Sequence, residues 1–136
     1  MNDSQKKHFL HLFCGDSERL IHASEVIEVI PMVQLRKEDD DKSDPHYSGL
    51  LDYRGQVIPV FNLPGEDPEY LDPANFIVIT RKNDEYASVI ASDVDDLIEI
   101  AQSDISTVRL TGDREIEVGK LDGRVVKILS PSEYFR

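Results

Sequence analysis

The chain has 136 residues, 40% of them hydrophobic, and its 27 acidic against 15 basic side chains give a formal net charge of −12 at pH 7. That length suits one compact domain or two very small fused ones, and folding buries roughly two-thirds of the surface that the unfolded chain exposes. The acidic balance sets the protein against nucleic-acid phosphates, anionic lipid heads and polyanionic substrates, and towards basic partner surfaces.

No apolar run approaches the ~20 residues of a membrane span, and the opening "MNDSQKKHFL" has no apolar stretch of secretory-signal length. A single cysteine, Cys14, cannot form an internal disulfide, which fits a reducing, cytoplasmic compartment.

Along the chain the recognisable elements are short and β-like. Residues 9–14 are apolar with histidine interruptions and stop at the turn pair Gly15-Asp16. Residues 20–23 resume the pattern, "HASEVIEV" has room for one helical turn, and "VIEVI" at 26–30 is rich in β-branched residues and ends at Pro31. Residues 47–63, "YSGLLDYRGQVIPVFNL", place apolar arms on either side of a Gly-containing tip, which predicts a β-hairpin. "FIVIT" at 76–80 and "YASVIA" at 86–91 flank another turn, and Asp122-Gly123 between two β-prone runs is a strong two-residue hairpin signal. At the end, Ser130, Pro131 and Glu133 fit the N-cap, first and capping-box positions of a short closing helix. Short strands with frequent turns point to small barrels or a sandwich.

Residues 37–44 carry too much like charge to bury, and residues 64–73, with three prolines and a glycine, read as a link between two lobes.

Chemistry-bearing patterns are few. The run Asp39-Asp40-Asp41 suggests calcium, but an EF-hand loop needs glycine at its sixth position and glutamate at its twelfth. From Asp39 these fall on Asp44 and Leu50, and from Asp93 the sixth is Ile98. A solvated charged loop accounts for the run better. His8, His11 and Cys14 recur at zinc-like spacing, yet residues three apart in a strand face opposite ways, and no second cluster supplies further ligands. There is no G-x-S-x-G elbow, no P-loop and no electropositive setting for Cys14. The expectation is a non-enzymatic protein without metal or cofactor. Arg54 at the hairpin tip is either an interface anchor, for which its planar fork suits it, or a turn residue satisfied by Asp52. The residues alone leave both readings open.

At "GLLDYRGQVIPVFNL" the sequence resembles the CheW family of bacterial chemotaxis coupling proteins. Gly49, Leu50, Arg54, Gly55, Ile58, Pro59, Val60 and Leu63 match its central pattern. The likeness extends in order through "FLHLFCGDSERLIHASEVIEVIP", with Val26 and Glu28 on family positions, "FIVITRKNDEYASVIASDVDDLIEI", and "LDGRVVKILSPSEYF". It implies an all-β fold of two small five-stranded β-barrels side by side, with a short C-terminal helical turn. Within one CheW-like domain over residues 1–136, it implies a first subdomain of about 16–63 plus 124–136. The second would take about 64–123 plus the N-terminal strand.

The implied role is an adapter bridging a CheA-type histidine kinase, through its regulatory domain, to the cytoplasmic tips of methyl-accepting chemoreceptors. It involves no nucleic acid and no direct membrane contact, and recruitment to membrane-bound receptor arrays runs through the partners. Arg54 and Gly55 inherit the coupling surface, with Gly49, Val26, Glu28, Val57 and Tyr53 as its neighbours, and a face around residues 89–94 contributes to a kinase contact. Tyr53 stands where leucine is usual, Asn62 and Ser92 where aspartate is usual, Ser88 where glycine is usual and Pro64 where arginine is frequent. These departures, with the acidic loop at 37–46 and a short segment between Ile105 and Val118, suit an accessory chemosensory pathway. An acidic binding or inhibitory module outside chemosensing is the alternative.

Overall fold

The computed structural model describes residues 5–15, 17–36, 47–62, 75–112 and 115–131. Within them run β1 (Lys6–Cys14), β2 (Ser17–His22), β3 (Val26–Pro31), β4 (Tyr47–Tyr53), β5 (Gln56–Phe61) and β6 (Phe76–Lys82), then β7 (Glu85–Ala91), β8 (Asp93–Ala101), β9 (Ile105–Arg109), β10 (Glu115–Leu121) and β11 (Arg124–Ile128). A short 3₁₀ turn, Ala23–Glu25, lies where the sequence has room for one helical turn, and a second, Gln102–Asp104, joins β8 to β9.

The strands form a six-stranded sheet, ordered β8-β1-β2-β11-β10-β9, and a five-stranded sheet, ordered β3-β6-β7-β5-β4. Most neighbours are antiparallel; β2–β11 and β5–β7 are parallel. The expected all-β architecture of two side-by-side β units is present, built as open sheets rather than as two closed five-stranded barrels. One sheet has six strands, and among the described residues neither ladder closes, ending instead at β8 and β9 and at β3 and β4. The sheets also partition the chain differently from the expected subdomains, since β6 and β7 share a sheet with β3–β5 while β11 pairs with β2 and β10. As folding units, the subdomain boundaries remain a proposal.

Strand alternation sorts the apolar side chains into three cores. Leu10, Leu12 and Ile21 from the six-stranded sheet meet Val78, Val89 and Ala91 from the five-stranded one, with Leu129, and this contact holds the two sheets side by side. The opposite face of the six-stranded sheet curls over Phe9, Leu20, Ile100, Val126 and Ile128. The five-stranded sheet wraps Leu51, Ile58, Val60, Ile77, Ile79 and Ile90. Strands such as β6 and β7 are buried on both faces, which explains their near-continuous apolar runs.

The turns follow local chemistry. Asp122-Gly123 closes β10–β11 with both residues at positive φ, 49° and 83°, and Asn83-Asp84 closes β6–β7 the same way at 51° and 68°. These are type I′ geometries, which match the right-handed twist of the flanking strands. At the C-terminus Pro131 is helical and the Ser130 hydroxyl donates to Glu25 Oε1 at 2.9 Å; Glu133 lies outside the described residues. So do the acidic loop at 37–46 and the proline-rich link at 64–73.

Candidate functional site: an arginine raised on a hairpin tip

The predicted hairpin is β4–β5, in register from Leu50↔Pro59 to Tyr53↔Gln56. Its two turn residues are Arg54 at φ 49° and Gly55 at φ 79°, again a type I′ turn. Gly55 suits its position for backbone reasons alone, because an added Cβ would meet nothing within 4 Å. Arg54 does not suit its own. An L-residue in the left-handed region costs roughly 1–2 kcal/mol through the contact of Cβ with the carbonyl, and asparagine or aspartate tolerates that region better. The chain holds a bulky cation where local preference argues against one.

Two neighbours set the direction of that cation. The Arg54 Cζ lies 5.2 Å from the centroid of the Tyr53 ring, within cation–π range. Its Nη2 sits 3.4 Å from Glu28 Oε1, a single weak contact, and the side chain stays 75% exposed. Tyr53 Oη donates a short hydrogen bond to the same Glu28 oxygen. That bond stabilises the phenol over the phenolate and raises the Tyr53 pKa above its ordinary value. Tyr53 thus takes the carboxylate oxygen that Arg54 would otherwise hold, and most of the guanidinium's donors face solvent.

Glu28 reaches this place through a β-bulge. On β3, Val26 pairs with Thr80 and Glu28 with Ile79, so the ladder gains one residue at Ile27. Two residues apart in a regular strand would share a face. The bulge separates them, turning Val26 to the core between the sheets and Glu28 to the side of the hairpin. β3 and β4 are the two ends of the five-stranded sheet. The Tyr53–Glu28 bond therefore ties one edge to the other, and Arg36 and Leu50 reinforce it with reciprocal backbone hydrogen bonds of 2.9 and 2.8 Å.

Of the residues expected at the coupling surface, the structure joins Glu28, Tyr53 and Arg54 in direct contact. Gly55 completes the tip, and Val57, 52% exposed, follows it on the outward course of β5. Gly49 and Val26 lie behind. Gly49 has φ 146°, and a Cβ there would come within 2.8 Å of Arg36 O and 2.9 Å of Leu35 Cβ. Its position serves the close approach of β4 to the chain after β3.

Sequence reading did not find a second polar constellation, on the six-stranded sheet. Asp95, His11, Glu18 and Arg124 come from four consecutive strands of its order, β8-β1-β2-β11, and alternate acid with base. Buried His11 contacts Glu18 Oε2 at 2.5 Å and Asp95 Oδ2 at 3.5 Å. Arg124 Nε and Nη2 both donate to Glu18, at 2.7 and 2.6 Å. Chiefly this Arg124 fork, against the opposing cost of burial and with help from His11, holds the Glu18 carboxyl down at about 2. His8 takes a different carboxylate, Glu99, at 3.0 Å, so the histidines of β1 do not converge. The sequence carries no signal for it, because no local rule connects Glu18 with Arg124, 106 residues away.

Comparison with known proteins agrees with this architecture. A family model described as the CheW-like domain matches residues 8–136. The scaffolding protein TtCheW from Thermoanaerobacter tengcongensis has a similar structure, with a TM-score of 0.75 at 17% sequence identity, covering 97% of this chain and 94% of its own. A search of curated proteins by sequence finds no match. The family match spans nearly the whole length and the fold agrees with it: the chain belongs to the CheW-like domain family.

Proposed function

We propose that this protein is a non-enzymatic adapter in bacterial chemosensory signalling. It couples the regulatory domain of a CheA-type histidine kinase to the cytoplasmic tips of chemoreceptors, and the β4–β5 hairpin tip is a coupling surface. Membership of the CheW-like family supports the class of role. The observation that carries the assignment is Arg54, held at φ 49° and 75% exposed at the end of a two-stranded, core-anchored arm. A fold that keeps an arginine at a conformational cost presents it for contact rather than for its own stability.

Such an adapter works by binding at separate faces, without bond chemistry. A preordered tip loses little conformational entropy when it docks, and an arginine fork anchors an interface better than a lysine would. Because the Tyr53 hydroxyl holds the same Glu28 oxygen, Arg54 keeps one contact of 3.4 Å there and most of its fork is open to a partner's carboxylate. Recruitment to receptor arrays would follow through those partners; no helix among the described residues is long and apolar enough to cross a membrane. Arg54→Ala should abolish co-purification with purified kinase regulatory domain and receptor cytoplasmic fragments. Undiminished recovery of both partners would overturn the assignment.

A further inference from the structure

The six-stranded sheet has a second exposed surface, remote in sequence from the hairpin tip. Residues directly opposite each other in a ladder share a face. Lys120 pairs with Val125, Val118 with Lys127, and Lys127 with Arg19. The acids of β10, Glu115 and Glu117, occupy the alternate positions and point the other way, and β9 and β11 contain none. The outer face of β10–β11 is therefore cationic and free of carboxylates, in a chain of net charge −12.

Its centre is apolar. Val125 is 65% exposed, the highest value among the exposed large hydrophobic side chains of the described residues. Lys120 and Lys127 flank it, both exposed, and neither side chain is paired among the described residues. Lys6, Arg36, Arg54, Arg81, Arg109 and Arg124 all hold ion pairs. Two lysines without an ion pair among the described residues, set around an exposed valine, form a surface suited to a counter-charge. Further along the same sheet face, Leu10, Leu12 and Ile21 are already buried against the five-stranded sheet, so this side of the sheet is built for packing.

We infer that the Lys120–Val125–Lys127 face docks an acidic protein segment, one that sets carboxylates on either side of an apolar side chain. Charge complementarity selects this occupant. A short segment meets chiefly the two lysines within a Debye length of about 8–10 Å, whereas an anionic bilayer or a second copy of the chain also meets the net charge of −12 over a wide surface. The face lies on other strands than Arg54, and its test is independent of the hairpin.

The test is an isotope-labelled NMR titration of the full chain with a short soluble peptide containing leucines flanked by glutamates. Glutamine-for-glutamate and lysine-for-glutamate peptides serve as comparisons. The inference predicts shifts concentrated at residues 118–127 and at Arg19, weakening with salt and absent for both comparison peptides. Lys120→Glu with Lys127→Glu should weaken binding about tenfold or more. Lys120→Gln with Lys127→Gln should weaken it less, and Arg54→Ala should leave it unchanged. Equal binding of the glutamine peptide, or of the doubly reversed variant, would overturn the inference. So would binding to phosphatidylserine vesicles through the same lysines, or a concentration-dependent oligomer that the double variant abolishes, since either names a different occupant.

Discussion

Replacing Gly49 by alanine should unfold the region behind the hairpin without touching its tip. At φ 146° an L-residue is strained, at a cost of order 1–3 kcal/mol. The new methyl would also sit 2.8 Å from the Arg36 carbonyl oxygen and 2.9 Å from Leu35 Cβ, and neither is the free end of a flexible side chain. The segment after β3 must then move away from β4. Overpacking of this kind costs about 1–3 kcal/mol, and it endangers two reciprocal hydrogen bonds, Arg36 N–H to Leu50 O and Leu50 N–H to Arg36 O, each contributing about 1 kcal/mol. Because the strain, the overpacking and the lost bonds share one relaxation, a total of roughly 3–5 kcal/mol is expected. That is a large part of the ~5–15 kcal/mol stability of an ordinary domain. Urea denaturation of wild type and Gly49→Ala reads the total, and hydrogen exchange at the Leu50 amide reads its location. A variant within about 1 kcal/mol of wild type, with the Leu50 amide equally protected, would refute this account of Gly49.

Three further outcomes follow from the same geometry. Arg54→Gly should be more stable than Arg54→Ala by about 1 kcal/mol in denaturant melts, because glycine accepts positive φ, while both variants lose partner binding; equal stability would mean the turn is unstrained. Ser88 has a buried hydroxyl without a hydrogen-bond partner among the described residues, so Ser88→Ala should raise stability by about 1 kcal/mol or more in the same assay, and a loss would show that the hydroxyl is satisfied. Glu18 has a folded pKa of about 2, below its ordinary value of 4.5. Its contribution to stability is therefore fully present above 4.5 and lost as pH falls towards 2, and Arg124→Met should move the carboxyl titration, followed by NMR, back up towards 4.5.

Much of the fold was legible because burial and turn chemistry agree locally. "FIVIT", "YASVIA" and "VIEVI" are apolar and β-branched where two faces are covered, and Asp122-Gly123 meets the backbone demand of its turn directly. β8 was harder to read. "DVDDLIEIA" carries three aspartates, which disfavour strands, and it is held by pairing with β1 across a bulge. β9 has one exposed edge and little buried surface to mark it. Sheet membership depends on parallel pairings, β2 with β11 and β5 with β7, between segments far apart in the chain.

At the site, the tip itself was visible as a Gly-containing turn between apolar arms. The contact of Tyr53 with Glu28 was not, because it depends on an extra residue at Ile27 that reverses which way Glu28 faces. Across the same bulge Val26, two residues before Glu28, packs partly buried against the core between the sheets.

The central claim is that Arg54 is kept on its strained turn for a partner. Its most direct test is the affinity of the purified kinase regulatory domain and of a receptor cytoplasmic fragment for wild type and for Arg54→Gly, by titration calorimetry. Loss of binding by a variant that melts at least as high as Arg54→Ala is the predicted result. Wild-type affinity for both partners would contradict it.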